Sequence, residues 1–299
     1  MKLYKIFSLI LIAALFGACE DVITVDLEDG DQQLVVDGWI NNQMKPQVIR
    51  LVRTSSYFDS SPSPAVTGAT VTVTDNTGTV FNFTDNSNGD YVWTPTGGLA
   101  FGQVGNTYTL SITTEGKEYT SVSTMNRIME IDSIGAEFRE EELGQPEGYY
   151  ASLFATDPIG PDTYWIKSYK NGRFLSDPSQ MNLAVNGGFT VGATVDGIVF
   201  IIPIREGINP FGEEDEDGND IAPFTTGDSI HVEIHSISED AFFFLNAART
   251  QMTLGDATLF AEPPSNVPTN IVSLNGTEPG DEPVGFFNVS AVAEKGRQF

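Results

Sequence analysis

The chain has 299 residues, with 41 acidic against 15 basic side chains, a formal net charge of −26 and a single cysteine. Such an excess of acid repels phosphate backbones and excludes nucleic acid as an expected partner. With one cysteine, disulfides cannot brace the fold, so its stability must come from a core that 20 Phe, 9 Tyr and 3 Trp can supply.

Residues 1–18, MKLYKIFSLILIAALFGA, begin with Lys2 and Lys5, run apolar from Ile6 to Phe16, and end on Gly17 and Ala18. A charged start, an apolar middle and small residues before a cut describe a secretory signal, which is set apart from the fold. The run is about a dozen residues, whereas crossing a bilayer takes roughly 20. Cys19 follows at once. Its place behind Gly-Ala resembles the bacterial lipobox, in which the thiol takes a diacylglycerol and becomes residue one; Phe16 stands where the usual box has leucine. The resemblance makes Cys19 the lipid-attachment residue, neither a disulfide partner nor a nucleophile. A single acyl chain anchors only marginally, but the two or three of a bacterial lipoprotein hold a molecule on the membrane. Residues 19–31 form an acidic tether with Glu20, Asp21, Asp26, Glu28, Asp29 and Asp31. Acids in that place resemble the signal that sends Bacteroidota lipoproteins to the outer face of the outer membrane. The expected address is the outer membrane, lipid-anchored and facing the cell exterior.

Residues 32–126 read as an immunoglobulin-like or transthyretin-like β-sandwich. Short β-prone runs occur at 33–40, 47–53, 69–75, 79–84, 91–94, 107–115 and 118–124, separated by turn residues. In ATVTVTD, Val71 and Val73 share one face and Thr70, Thr72 and Thr74 the other, the period of two of a half-buried antiparallel strand. DNTG (75–78) and NSNGD (86–90) carry the Asn and Gly that accept positive φ in hairpin turns.

Residues 127–299 read as a larger β domain with one helix. Strands are expected at 131–138, 149–156, 163–176, 197–206, 228–237 and 284–293, with Asn171-Gly172 turning a hairpin inside the third. A helix is expected over roughly 238–254, capped by Ser236 in capping-box spacing with Glu239, or by Ser238. Its apolar stripe takes in Phe244, Leu245, Ala248 and Met252. The expected class is therefore all-β, with one packed helix.

Three constellations could carry chemistry. His231, Glu233 and His235 share a strand face in HVEIH, and two imidazoles with a carboxylate could ligate zinc. The plainer reading is the wet face of a strand whose Val232 and Ile234 are buried. Asp215, Asp217 and Asn219 alternate as in calcium loops, but Gly218 is fourth from Asp215 where such a loop wants glycine sixth, so a solvated acidic loop is expected. Trp39, Trp93 and Trp165 could stack on sugar rings if exposed; core packing is the plainer reading. There is no G-x-S-x-G elbow, and 41 carboxylates hide any acid–base pair. No catalytic residue, cofactor or bound metal is expected.

The ordered set LVVDGWI, YYASLFATDP, TYWIKSYKNGRF, GDSIHVEIHSIS, LFAEPPSNVPTNI and VGFFNVSAV resembles a Bacteroidota outer-membrane lipoprotein family, domain of unknown function forty-two forty-nine. Its members are typically encoded beside TonB-dependent receptors. The resemblance therefore implies a non-catalytic accessory or binding partner of such a nutrient receptor. It transfers no catalytic residue, and it suggests structural roles for Phe260, Pro263, Pro264, Asn266, Asn270, Gly285 and Phe287. A stand-alone glycan- or peptide-binding lipoprotein is the alternative, and a metal-dependent hydrolase using His231, Glu233 and His235 a more distant one.

Overall fold

A computed structural model of the chain describes residues 30–56, 59, 61–142, 145–190, 192, 195–212, 220–253, 267–276 and 280–299. The signal, Cys19 and nearly all of the acidic tether lie outside the described residues, as do Asp215, Asp217, Asn219, Phe260, Pro263, Pro264 and Asn266. The described chain is mainly β, and Asp31–Phe299 packs as one compact unit.

Seven strands follow the alternation of the first third closely. They are β1 (Leu34–Asn41), β2 (Gln47–Arg53), β3 (Thr70–Asp75), β4 (Val80–Asp85), β5 (Asp90–Trp93), β6 (Thr107–Thr114) and β7 (Lys117–Thr124). Val71 and Val73 are buried while the threonines between them face outward. The strands form two layers, β1-β2-β5 and β3-β6-β7, and β4 belongs to both: residues 80–83 pair with β3, while Thr84 and Asp85 pair with β5. Between the layers lies a core that includes Leu34, Val36, Leu51, Val71, Leu110, Ile112, Tyr91 and Phe101. Each such side chain contributes on the order of 1.5–3 kcal/mol by leaving water.

The second part comprises β8 (Ser133–Arg139), β9 (Gly148–Phe154), β10 (Thr163–Lys170), β11 (Arg173–Phe174), β12 (Asn182–Val185), helix α1 (Ile202–Glu206), β13 (Ser229–Ile237), helix α2 (Glu239–Thr253), β14 (Val272–Ser273) and β15 (Val284–Gln298). Asn171 and Gly172 both take positive φ, 51° and 78°, and turn β10 into β11 as their sequence requires. The core here is built from Ile134, Leu153, Ile166, Phe200, Ile204, Val232, Ile234 and neighbours.

β15 does most to organise the molecule. Its first half, Val284–Ser290, pairs in parallel with β1, while Ala291–Gln298 pairs antiparallel with β13. It gives Phe287, Val289 and Ala291 to the first core and Ala293 to the second. Gly285 makes the approach to β1 possible. It sits at φ 93°, and a Cβ there would stand 2.1 Å from the Val36 carbonyl oxygen, so a side chain at this position has no room. Asn270 lies alongside: its Nδ2 donates to the Phe287 carbonyl at 2.7 Å, and its Oδ1 accepts from the Phe287 amide at 2.9 Å. The two bonds do what a further strand would do.

Three expectations are corrected. GIVFIIPIRE does not form a strand: Val199 makes one bridge to Thr156 and Pro203 opens α1, because proline lacks the N–H a strand needs but suits a first helical turn. The cap of α2 is Ser238, whose Oγ accepts from the Ala241 amide at 3.1 Å, while Ser236 is buried at the end of β13. The apolar face of α2 is shifted in part: Leu245 is buried and Phe244 packs against the same core as expected, but Ala241 and Phe242 are its other buried residues and Met252 is exposed. Among the described residues no helix is long and apolar enough to cross a membrane.

Candidate functional site

The alternation of β13 sends Val232 and Ile234 into the second core and His231, Glu233 and His235 to the opposite face, as the sequence requires. That face is not wet. Glu233 and His235 are about 5% and 4% exposed, and His231 alone of the three reaches solvent. β10 flanks them on one side, with Lys167 opposite Glu233 and Trp165 opposite His235, and β15 on the other, with Glu294 opposite Glu233. The turn after β1 closes the face with Gln43 and Lys45.

Glu233 is the hub. Its Oε1 accepts from Gln43 Nε2 at 3.0 Å and Lys45 Nζ at 3.3 Å, and its Oε2 from Tyr169 Oη and His235 Nε2, both at 3.0 Å. A carboxylate can only accept, so His235 carries its proton on Nε2, and Nδ1, 3.2 Å from Ser290 Oγ, accepts from that hydroxyl. Burial alone would raise the Glu233 pKa, but the bonds from His235 and Gln43 and the nearby charges outweigh it and hold the carboxyl well below its ordinary range. Burial, with the neighbouring Lys167 ammonium, pushes His235 down to about 4, so it is neutral at pH 7. Burial also lowers Lys167 to about 8, and its Nζ lies 3.8 Å from the centre of the Trp165 ring.

The histidine pair therefore divides. His235 spends both nitrogens inside the protein and holds Glu233 in place. His231 Nε2 stands 3.6 Å from Glu294 Oε2, a residue that strand alternation within HVEIH could not bring into view. The trio read from sequence is thus replaced, as a set of converging donors, by His231, Glu233 and Glu294, whose donor atoms lie within 4.8 Å of one another.

The tryptophans pack. Trp39 meets Trp165 edge-on at 5.3 Å and stacks on Phe286 at 5.7 Å, under Phe244 of α2. Trp93 lies edge-on to Phe81 and Phe101. All three are partly buried, each with its ring in contact with neighbouring aromatic side chains. Exposed apolar side chains occur elsewhere, on three adjoining segments. Gly160 N donates to Asp196 Oδ1, Asp157 N to the Ile198 carbonyl and Ile201 N to the Gly187 carbonyl, and these bonds bring 157–160, 187–189 and 196–202 side by side. Ile159 is 82% and Ile202 62% exposed there, with Phe189, Ile198 and Val199 also exposed. Of these segments only 197–206 is expected from sequence to be a strand, and nothing in the local pattern of 157–160 or 187–189 marks them as neighbours of it.

The sequence profile of one family, described as Domain of unknown function (DUF4249), matches residues 20–296. No curated protein matches the chain.

Proposed function

The chain belongs to the DUF4249 family, and on that premise we propose that it is a lipid-anchored, non-catalytic accessory subunit of a TonB-dependent nutrient receptor. It is held at the outer membrane through Cys19 and faces the exterior. The observation that carries this reading is a coincidence of register: LFGACED puts the lipid-bearing thiol at Cys19, and the family match begins one residue later, at Glu20. A shared region that begins where a processed chain would begin supports this reading. The apolar surface around Ile159 and Ile202 supplies a face for a protein partner, since grouped exposed aliphatic side chains mark interaction surfaces. Anchoring both proteins in one membrane raises their effective concentration, so a modest docking surface suffices.

The test is capture of the lipidated protein from its native membrane in mild detergent. A TonB-dependent receptor is expected in near-stoichiometric amount, and its recovery should fall several-fold for the double variant Ile159→Glu, Ile202→Glu. Cys19→Ser should leave the membrane fraction altogether. Recovery of the lipoprotein alone, from membranes that contain the receptor, would overturn the proposal.

A further inference from the structure

The polar face of β13 and β15 holds two features that bear on a ligand. Glu233 and Glu294 are direct cross-strand partners, and like charges in that position repel. The side-chain amide of Gln43 stands between them, with Nε2 3.0 Å from Glu233 Oε1 and 2.5 Å from Glu294 Oε2, yet its Oε1 is buried without a partner among the described residues. A buried amide oxygen without a donor costs about 1–3 kcal/mol.

We propose that His231 Nε2, Glu233 Oε1 and Glu294 Oε2 bind a divalent transition-metal ion, zinc being the one that suits the donors, with the Gln43 amide oxygen as fourth ligand. A tetrahedral ion with bonds of about 2.0–2.2 Å needs donors roughly 3.3–3.6 Å apart. The His231–Glu294 separation of 3.6 Å already meets this. The orientation of a carboxamide is set by its hydrogen bonds. Turning the Gln43 amide over brings Oε1 to the ion, where Nε2 now stands 3.0 Å from Glu233 Oε1 and 2.5 Å from Glu294 Oε2, so these ligands spread by about 0.3–1 Å to reach tetrahedral spacing while the amide N–H groups take the buried place that Oε1 leaves. Lys45, whose side chain is about half exposed, withdraws to solvent as the ion takes its place beside Glu233. Tyr169 and His235 keep their bonds to Glu233 Oε2, leaving Oε1 for the ion; hydrogen-bond donors that do not themselves touch a metal orient a ligating carboxylate in this way. His235 is thus a positioning residue and not a ligand. Imidazole in the set disfavours calcium and magnesium, which take oxygen.

This inference is independent of the receptor-subunit reading, and its failure would leave that reading standing. The chain from residue 20 onward, stripped of metal by chelation, is titrated calorimetrically with zinc chloride near neutral pH. One zinc per chain is expected, with a rise in Tm, and no competition from calcium or magnesium. His231→Ala and Glu294→Gln should each weaken binding roughly tenfold or more, since each deletes a ligand. Both positions are open to solvent, so without metal His231→Ala should keep the wild-type Tm and Glu294→Gln, which relieves the cross-strand repulsion, should not lower it. Tyr169→Phe should weaken binding less and keep the stoichiometry. Absence of binding to the wild-type chain, or unchanged binding in both ligand variants, would overturn the site.

Discussion

His235 is buried with a carboxylate on one nitrogen and a hydroxyl on the other, and the pH dependence of stability follows from that arrangement. Its folded pKa lies near 4 against 6.5 unperturbed, so between these values the unfolded chain takes up a proton that the folded chain refuses. Stability therefore falls as pH drops through this window. Glu233 adds in the same direction below its ordinary value of 4.5, because its folded carboxylate resists protonation that the unfolded one accepts. The stabilisation is fully present above about pH 7, and at pH 5 roughly 2 kcal/mol of the His235 part is gone. Thermal melts at pH 7 and pH 5 should show this loss in the wild type and a smaller one in His235→Gln, which keeps a donor for Glu233 and does not titrate. An equal drop in both proteins would assign the acid lability to other groups. Alternation in HVEIH was enough to place these side chains on one face. It could not say that the face is closed, because the residue closing it, Gln43, lies 190 positions from Glu233.

At the scale of elements, strand pairing was legible where alternation and turn chemistry agree. ATVTVTD with DNTG, and the two runs around Asn171-Gly172, give strands within a residue or two of those formed. GIVFIIPIRE was misread because an apolar run of strand length does not separate a buried strand from a loop entering a short helix; Pro203 was the signal that could have decided it. β12 and β14 are four and two residues long, too short to show a period. The seating of β15 was not legible either, since one side chain sets much of it. Asn270→Ala removes both bonds to the buried Phe287 backbone, and the expected cost is about 2 kcal/mol, read as a lower denaturant midpoint with an unchanged slope. Asn270→Asp keeps the acceptor but sets a carboxylate oxygen against the Phe287 carbonyl, and should cost at least as much as Asn270→Ala. A midpoint unmoved by Asn270→Ala would mean that Phe287 finds other partners.

For the whole molecule, the hydrogen-bonded order runs from β11 through β10, β13, β15 and β1 to the first sandwich without a break among the described residues. Two cores lie along it, yet β15 lends side chains to both, and the sequence boundary near residue 126 falls within one compact unit. Scanning calorimetry of the processed chain should give a single transition whose calorimetric and van't Hoff enthalpies agree. Two resolved transitions would show that the halves melt separately. The same strand also bears on how the protein is made. β1 leaves the ribosome some 250 residues before β15, its parallel partner at Val35–Val284, so the first sandwich waits with an open flank through most of synthesis. A nascent chain of this kind stays without its closing strand until translation is nearly done, a state in which it can still be threaded, handed to a chaperone or degraded.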